Sequence, residues 1–275
     1  MRKVLAIWTL CLLATVSAWA QGFTEVSRFF FNPESGKDGV PYVASTLEPE
    51  TMPEDLVNTV EPLIVRLDAV DCTTFVEYDS AAILSHLPVP DPNDSLFLYC
   101  LQSLRYRGGV RGNYTTRKHY FSEWILDAEK QELLTEVTRT MPGAVPLQRT
   151  IDFMSKHVNA YPQLKACPKL LPGIYNAEHE LSSQTVYYIP SSQISKAYKS
   201  MRHGDIVAFV TETAGLDIQH VGFVWYPDPK RHAPQLFHAS STLKSVTLDP
   251  SSLQAYAQRV KNCKGIRIVR LNNQK

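Results

Sequence analysis

The chain has 275 residues and a formal net charge of +1, with 44% hydrophobic and 20% charged residues. These are the values of an ordinary globular protein, so the composition excludes disorder, collagen-like repeats and coiled-coil arrays. The balance of 28 basic and 27 acidic residues argues against bulk nucleic-acid binding. No segment after residue 20 is long and apolar enough to span a bilayer.

The first twenty residues have the features of a secretory signal peptide. Arg2 and Lys3 precede an apolar run over residues 4–16, and Ala18 and Ala20 provide the small side chains that a signal peptidase reads. We predict that residues 1–20 are removed, which changes the net charge from +1 to −1. The mature protein, residues 21–275, is expected in the periplasm or as a secreted protein, without stable membrane insertion.

The mature chain keeps four cysteines, Cys72, Cys100, Cys167 and Cys263. An even number suggests disulfides in an oxidising compartment, but the sequence leaves open whether the last three form a bridge, such as Cys167–Cys263. No CxxC pair or Cys/His cluster has the spacing of a structural zinc site, so we expect no metal and no other cofactor.

Helical patterns dominate the first part of the mature chain. Apolar residues at three- and four-residue steps predict a helix from Cys72 to about Pro88 and another from about Asp94 to Arg105. The remaining expected segments are a loop over 32–53 with a short strand at 41–43, a β-branched stretch at 63–67, and helices at 130–140 and 151–159.

The last third changes to strand patterns. Strands are expected at 205–210, 218–225, 235–239 and 266–271, and a helix should begin with Asp249 as N-cap and Pro250 at its first position. Helices followed by strands, without strand–helix alternation, predict an α+β fold with a C-terminal antiparallel sheet.

Cys72 follows Asp71 at the first turn of the first predicted helix. Unpaired backbone N–H groups and the helix dipole favour an anion there, which lowers a thiol pKa and favours a nucleophilic thiolate. The same N–H groups could receive an oxyanion. The alternative is a buried cysteine that packs as a small hydrophobic side chain.

Two histidines on neighbouring predicted strands provide a base and its orienting partner. His220 shares a strand face with Gly222, which leaves room for another group, and His238 lies on the next strand. Side chains on adjacent antiparallel strands approach within ~5 Å, so His238 could orient the ring that accepts the thiol proton. Either histidine alone would more often be structural.

These residues resemble a known family. A cysteine at a helix start, His220-Val-Gly on one strand and His238-Ala-Ser on the next are the pattern of NlpC-type papain-like cell-wall hydrolases. Six segments resemble the N-acetylmuramoyl-L-alanine amidase-like branch of these hydrolases. They are PYVASTLE at 41–48, DCTTFVE at 71–77, RYR at 105–107, HY at 119–120 with Trp124, GDI at 204–206 and GLD at 215–217.

The resemblance implies a single papain-like domain over 21–275 with N-terminal helices and a large, mostly helical insertion at about 88–203. It implies an amidase that cuts between the lactyl group of N-acetylmuramic acid and L-alanine. Cys72 would be the nucleophile, His220 the base and acid, His238 the orienting member, and Tyr42 a substrate or oxyanion contact. The sequence departs from the family at Thr73-Thr74, where Ser-Gly is usual, and in the 148 positions between Cys72 and His220.

Arginines and tyrosines cluster after the second predicted helix, where they could bind stem-peptide carboxylates and sugar rings. A solvated basic loop, or a phosphate or single-stranded nucleic-acid site, are the alternatives, and export argues against nucleic acid. For Asp217 and Ser240 the alternatives are a turn and a strand end. The predicted substrate-binding residues are Tyr42, Arg105, Tyr106, Arg117, His119, Tyr120, Asp217 and Ser240.

The sequence thus predicts a monomeric thiol amidase acting on soluble peptidoglycan fragments during cell-wall turnover or recycling. It leaves open whether an anhydro sugar is preferred and how much stem peptide is needed. An endopeptidase that cuts between D-glutamate and the diamino acid would use the same three residues. A non-catalytic muropeptide-binding protein is the third interpretation.

Overall fold

The computed structural model describes residues 20–48, 52–226 and 233–272. Residues 1–19 of the predicted signal peptide lie outside this part. None of the helices in the described ranges combines the length and the apolar character needed to cross a membrane. Cys72, Cys100, Cys167 and Cys263 are free thiols in the described structure.

An eight-stranded sheet forms the centre of the described structure. Seven strands follow the order β2-β3-β8-β4-β5-β6-β7, and β1 pairs with β8 outside this path. All the strand pairs are antiparallel. The strands are β1 (Leu134–Glu136), β2 (Val145–Leu147), β3 (Val186–Pro190), β4 (Ile206–Thr211), β5 (Ile218–Trp225), β6 (Gln235–Ser240), β7 (Ser245–Leu248) and β8 (Cys263–Leu271).

Helices cover both faces of this sheet. The first, α1, is helical over residues 20–30. The others are α2 (Cys72–Leu84), α3 (Ser95–Arg105), α4 (Phe121–Lys130), α5 (Phe153–Lys156), α6 (Pro162–Ala166), α7 (Leu171–Ser182) and α8 (Leu253–Arg259). Short 3-10 helices lie at Arg107–Gly109, Tyr114–Thr116, Thr138–Thr140, Val158–Ala160, Pro168–Leu170 and Ile194–Ser200.

Alternation along the strands divides the core between the two faces. In β4, Ile206 and Ala208 belong to one cluster, which includes apolar side chains of α1, α2, α3 and α4. Val207 and Phe209 belong to the cluster on the other face, together with side chains of α8. Because successive strand residues point to opposite faces, one apolar run is buried on both sides.

The predicted α+β arrangement is confirmed, and several elements agree closely. The helix to Arg105 begins at Ser95 because the Asp94 carboxylate accepts the backbone N–H of Phe97 at 2.8 Å. The strand predicted at 218–225 is β5. Residues 88–203, predicted as a mostly helical insertion, contain helices but also β1, β2 and β3, which join the same sheet as the C-terminal strands.

Other boundaries were wrong for local reasons. Residues 130–140 are not a helix, because α4 ends at Lys130, Glu132 has a φ of 58°, and the chain then pairs with β8. The segment predicted as a helix at 151–159 has α5 and a 3-10 turn instead. The C-terminal helix begins later than predicted, since Ser252 is its cap and Asp249 accepts the N–H of Ser251.

Strand pairing in the N-terminal region is limited. Residues 41–43 form isolated bridges, Pro41 with Ser245 and Tyr42 with Val70, in place of a strand. Residues 63–67 belong to no strand of the sheet.

Candidate active site

Cys72 is the first residue of α2, and Asp71 caps this helix. The Asp71 carboxylate accepts the backbone N–H of Thr74 at 2.8 Å, while the Thr74 hydroxyl accepts the N–H of Asp71 at 2.9 Å. This capping box satisfies two of the donors at the helix start and fixes where α2 begins. The sequence prediction of a helix-start cysteine is correct in position.

The surroundings of the sulfur favour its protonated form. Burial and the Asp71 charge raise the pKa of Cys72 to about 12, although a hydrogen bond from the backbone N–H of Val221 and one from the Thr73 hydroxyl act in the opposite direction. Sequence reasoning expected a lowered thiol pKa. Desolvation and a neighbouring carboxylate outweigh the helix dipole here, since both disfavour the thiolate.

His220 and His238 form a hydrogen-bonded pair. Nε2 of His220 lies 2.7 Å from Nδ1 of His238. His220 directly precedes Val221, whose N–H faces the Cys72 sulfur. The structure therefore brings the three predicted catalytic residues to one region, where β5 passes the start of α2. Nδ1 of His220 has no hydrogen-bond partner among the described residues.

Burial favours the neutral form of both imidazoles. Burial, and then the neighbouring His238, lower the pKa of His220 to about 3. Burial, and then Arg259, lower the pKa of His238 to about 4. When the Nε2–H of His220 donates a hydrogen bond to Nδ1 of His238, Nδ1 of His220 carries no proton and can act as an acceptor. His238 then carries its own proton on Nε2.

Tyr256 of α8 packs against both histidines, which the sequence did not indicate. Its ring centroid is 5.3 Å from that of His238 and 6.2 Å from that of His220. The Arg259 guanidinium lies over the same ring at 5.0 Å. Nε2 of His238 is buried and has no hydrogen-bond partner among the described residues, and the Tyr256 ring packs edge-on against this imidazole.

Gly222 permits the close approach of β6 that the pair requires. A Cβ at this position would lie 2.6 Å from the carbonyl oxygen of Phe237 and 2.9 Å from Cβ of His238. Since such contacts are far below van der Waals distance, a side chain there would push His238 away. The predicted role of this glycine as a source of space is in keeping with the structure.

Tyr42 is near enough to Cys72 to interact with it electrostatically. Burial raises its pKa, and the charges of Cys72 and Asp71 raise it further. Its backbone N–H donates to the carbonyl oxygen of Lys244 at 2.8 Å, which ties the segment before α2 to the β6–β7 hairpin. Lys244 Nζ also lies 5.9 Å from the tyrosine ring centroid.

Three of the predicted substrate-binding residues, Arg105, Tyr106 and Arg117, line a separate cavity of about 270 Å³. Arg105 is buried and paired with Glu77 at 2.8 Å, and Arg117 is paired with Glu48 and Glu61 at 3.4 and 3.2 Å. Each guanidinium therefore already has a carboxylate partner.

The remaining predicted residues make contacts within the fold. Nε2 of His119 lies 2.9 Å from the carbonyl oxygen of Tyr114, and the Tyr120 hydroxyl donates to Glu178 at 2.8 Å. Asp217 accepts the N–H of Ser122 at 2.6 Å, at the start of α4, and Ser240 accepts the N–H of Leu243 at 3.1 Å in the β6–β7 turn.

In the described ranges, no group of three or more His, Cys, Asp and Glu side chains is arranged to hold a metal ion. The chemistry that the grouped residues can perform is nucleophilic attack by Cys72 with proton transfer through His220.

Comparison with known proteins identifies relatives of the whole arrangement. The family described as AmiA-like, N-acetylmuramoyl-L-alanine amidase-like, matches residues 36–266. A search of curated proteins found no match.

Solved structures extend this likeness. An N-acetylmuramoyl-L-alanine amidase from Bacteroides uniformis superposes with a TM-score of 0.78 at 33% identity, over 92% of this chain and 100% of that one. A Bacteroides fragilis protein with the provisional name xylanase has a TM-score of 0.73 at 34% identity, over 86% and 98% of the two chains. The Legionella pneumophila protein LPG0564 shares the fold, with a TM-score of 0.65 at 20% identity over 96% and 93%.

Proposed function

The chain belongs to the N-acetylmuramoyl-L-alanine amidase-like family, and we propose that it is a cysteine-dependent amidase. Its substrate is a peptidoglycan fragment, and the bond cut joins the muramyl lactyl group to L-alanine. The observation that carries the proposal is the His220–His238 pair at 2.7 Å, next to the strand residue whose N–H faces Cys72.

The first half of the reaction forms a thioester. The thiol proton of Cys72 moves to Nδ1 of His220 as the sulfur attacks the lactyl carbonyl carbon. Because both groups are neutral beforehand, proton transfer and attack occur together. The oxyanion is stabilised by the Cys72 backbone N–H and the Tyr42 hydroxyl. Collapse of the tetrahedral intermediate breaks the carbon–nitrogen bond, and the imidazolium returns its proton to the leaving alanine amine.

The second half releases the sugar acid. Water attacks the thioester carbonyl and gives a proton to the same imidazole, and the departing sulfur takes that proton back as a thiol. His238 holds the His220 ring throughout because its Nδ1 accepts a hydrogen bond from the Nε2–H of His220. Cys72 and His220 are the two residues that change protonation state in this scheme.

The proposal also covers the type of core fold, the oligomeric state and the cellular location. The core around Cys72 and β5 is papain-like of the NlpC type, and the protein acts as a monomer after export through its signal peptide. We place it in the periplasm, where fragments of the wall are released. A fusion of residues 1–20 to a periplasm-dependent reporter tests export, with Arg2→Glu/Lys3→Glu as the control that should abolish it.

Product masses test the reaction. A defined disaccharide–tetrapeptide should yield an intact disaccharide and an intact stem peptide in mass spectrometry, and the Cys72→Ala variant should yield neither. Cleavage inside the stem peptide would make the protein an endopeptidase. Full turnover by Cys72→Ala would remove the cysteine mechanism.

A second measurement separates an enzyme from a binding protein. Although its surroundings favour the protonated thiol, Cys72 in the wild type should react with iodoacetamide because His220 can accept the proton as the sulfur attacks, and substrate should protect it, while Cys100 serves as the buried internal control. An inert Cys72 combined with tight muropeptide binding would contradict catalysis.

A further inference from the structure

Arg259 is the last residue of α8 and lies behind the histidine pair. Its guanidinium carbon is 5.0 Å from the ring centroid of Tyr256, and that centroid is 5.3 Å from the imidazole centroid of His238. Tyr256 and Arg259 are one helical turn apart, so their side chains share a face of α8. A permanent positive charge therefore contacts the same aromatic ring that packs against His238.

The guanidinium of Arg259 is held in place, although about half of the side chain is exposed. Nη1 donates to the hydroxyl oxygen of Ser251 at 2.8 Å, and Nη2 pairs with the carboxylate of Asp249. The Asp249 side chain is buried, whereas 52% of the Arg259 side chain is exposed. Arg259 thus satisfies a buried carboxylate that would otherwise lack a cationic partner in this contact.

Asp249 lies on the same face of the sheet as His238. β6 pairs with β7 so that His238 is opposite Thr247. Asp249 follows two residues later, and its N–H donates to the carbonyl oxygen of Leu236 at 2.8 Å, which continues the pairing. Because side chains alternate between the two faces, the Asp249 side chain is on the His238 side. Without Arg259, this carboxylate would be free to stabilise a positive charge there.

The protonation state of His238 decides whether His220 can act as a base. A neutral His238 accepts the Nε2–H of His220 through Nδ1, which leaves Nδ1 of His220 without a proton. A cationic His238 carries protons on both nitrogens, so its Nδ1 would donate to Nε2 of His220 instead. The proton of His220 would then be on its Nδ1, which is where the thiol proton has to go. Activity therefore requires a neutral His238.

The other titratable groups near His238 carry no opposing charge. Burial raises the pKa of Tyr256 in α8 and of Cys72 at the start of α2, and burial lowers the pKa of His220 in β5. All three groups are thus favoured in their neutral forms. Among the described residues, no carboxylate accepts a hydrogen bond from His238. Burial, and then the charge of Arg259, lower the pKa of His238.

We propose that Arg259 is a positioning residue for the amidase reaction. It keeps His238 neutral in two ways, by its own charge beside the Tyr256 ring and by binding the Asp249 carboxylate. His220 is thereby held in the tautomer that can take the thiol proton. The inference rests on the proposed amidase function and adds a residue that controls the base without touching the substrate.

Removing the charge should make the base sensitive to acid. Histidine nitrogen NMR follows the imidazole of His238 through a pH titration of the protein. In Arg259→Met the midpoint of this titration should rise by about one pH unit, because the repulsion is lost and Asp249 is left free. The value of kcat/KM at pH 5 should then fall to about half of that at pH 8, with KM changed little. Wild type should show a much smaller difference.

Three further variants separate the charge from the packing of the side chain. Arg259→Lys keeps a cation beside the Tyr256 ring and should keep the wild-type midpoint. Arg259→Met/Asp249→Asn leaves no free carboxylate and should show only part of the rise. Arg28→Met removes an arginine of similar exposure, which pairs with Glu34, and should change neither the midpoint nor kcat/KM.

An unchanged His238 midpoint in Arg259→Met would overturn the proposal, and so would an equal rise in Arg259→Lys. A loss of activity in Arg259→Met that is the same at every pH would indicate a structural role and would also overturn it. Should Arg259→Met fail to fold, the double variant replaces it, and a wild-type midpoint there would contradict the effect of the charge. Since the titration needs no substrate, its failure is distinct from failure of wild type in the product-mass assay.

Discussion

Nε2 of His220 and Nδ1 of His238 are 2.7 Å apart, on strands that Gly222 allows to approach closely. This contact selects which nitrogen of His220 is available as a base. The proposed mechanism therefore depends on His238, although His238 never touches the substrate.

Removing the His238 side chain should impair the chemical step more than substrate binding. We expect His238→Ala to lower kcat by roughly 10²-fold, the range typical of a disrupted proton-transfer partner, with KM changed little. His238→Asn places an acceptor near the Nδ1 position and should restore part of the activity. Steady-state kinetics of the two variants test this expectation. A kcat within twofold of wild type in His238→Ala would contradict a role of His238 in orienting His220.

The pH profile should lack the usual histidine inflection. The pKa of His220 is lowered to about 3 and that of His238 to about 4, while the pKa of Cys72 is raised to about 12. The reactive neutral forms therefore persist through the physiological range, and kcat/KM should be nearly flat between about pH 5 and 9. An inflection between about pH 6 and 7 in kcat/KM would show that the histidines titrate normally.

Arg105 is expected to matter for stability. It is 1% exposed and paired with Glu77, which is 3% exposed. Arg105→Met leaves a buried carboxylate without a partner and should cost about 3–5 kcal/mol of unfolding free energy. Glu77→Met/Arg105→Met removes both charges and should recover most of that loss in denaturant titrations. Any effect of Arg105 on KM is then measured in the double variant, whose core is repaired.

Asp79 should make the protein less stable as the pH rises. It is fully buried, Ser27 donates to one of its oxygens at 2.8 Å, and burial raises its pKa well above the ordinary value of 3.8. The folded state thus keeps a proton that the unfolded state releases, so stability falls as pH increases from about 4 through the raised pKa.

Substitution of Asp79 isolates this effect. Asp79→Asn should increase the unfolding free energy at pH 8 by about 1 kcal/mol or more, since no charge is buried, and should leave stability at pH 4 nearly unchanged. Asp38→Asn, at an exposed position, is the matched control. Parallel pH curves for Asp79→Asn and wild type would mean that Asp79 does not titrate abnormally.

Tyr256 offers a test of the aromatic support behind the pair. Tyr256→Phe keeps the ring that packs against His220 and His238, so it should retain most of the activity. Tyr256→Leu removes the ring and should lower kcat by about tenfold, because the histidines lose their packing surface. Histidine nitrogen NMR should show a changed tautomer population in the leucine variant alone.

The local elements of the site were predictable, while their assembly was not. Asp71 as a cap, Cys72 as the first helical residue and β5 as a strand follow from short patterns that propensity governs. The prediction that residues 130–140 are helical failed because pairing with β8, over 130 positions away, determines Leu134–Glu136. No local pattern contains that information.

The pKa shift of Cys72 and the ion pairs of the arginines also depend on contacts that the sequence does not show. Sequence reasoning counted the helix dipole at Cys72 but had no measure of burial, which is the larger effect on its pKa. In the same way, Arg105 and Arg117 looked like free ligand-binding groups until Glu77, Glu48 and Glu61 were found beside them.

The position of β8 has a consequence for how the chain is made. This strand comes after all the others in sequence, yet it lies between β3 and β4 and also pairs with β1. The central strand of the sheet is therefore synthesised last. Until β8 is available, the strands on its two sides cannot be joined as they are in the folded sheet.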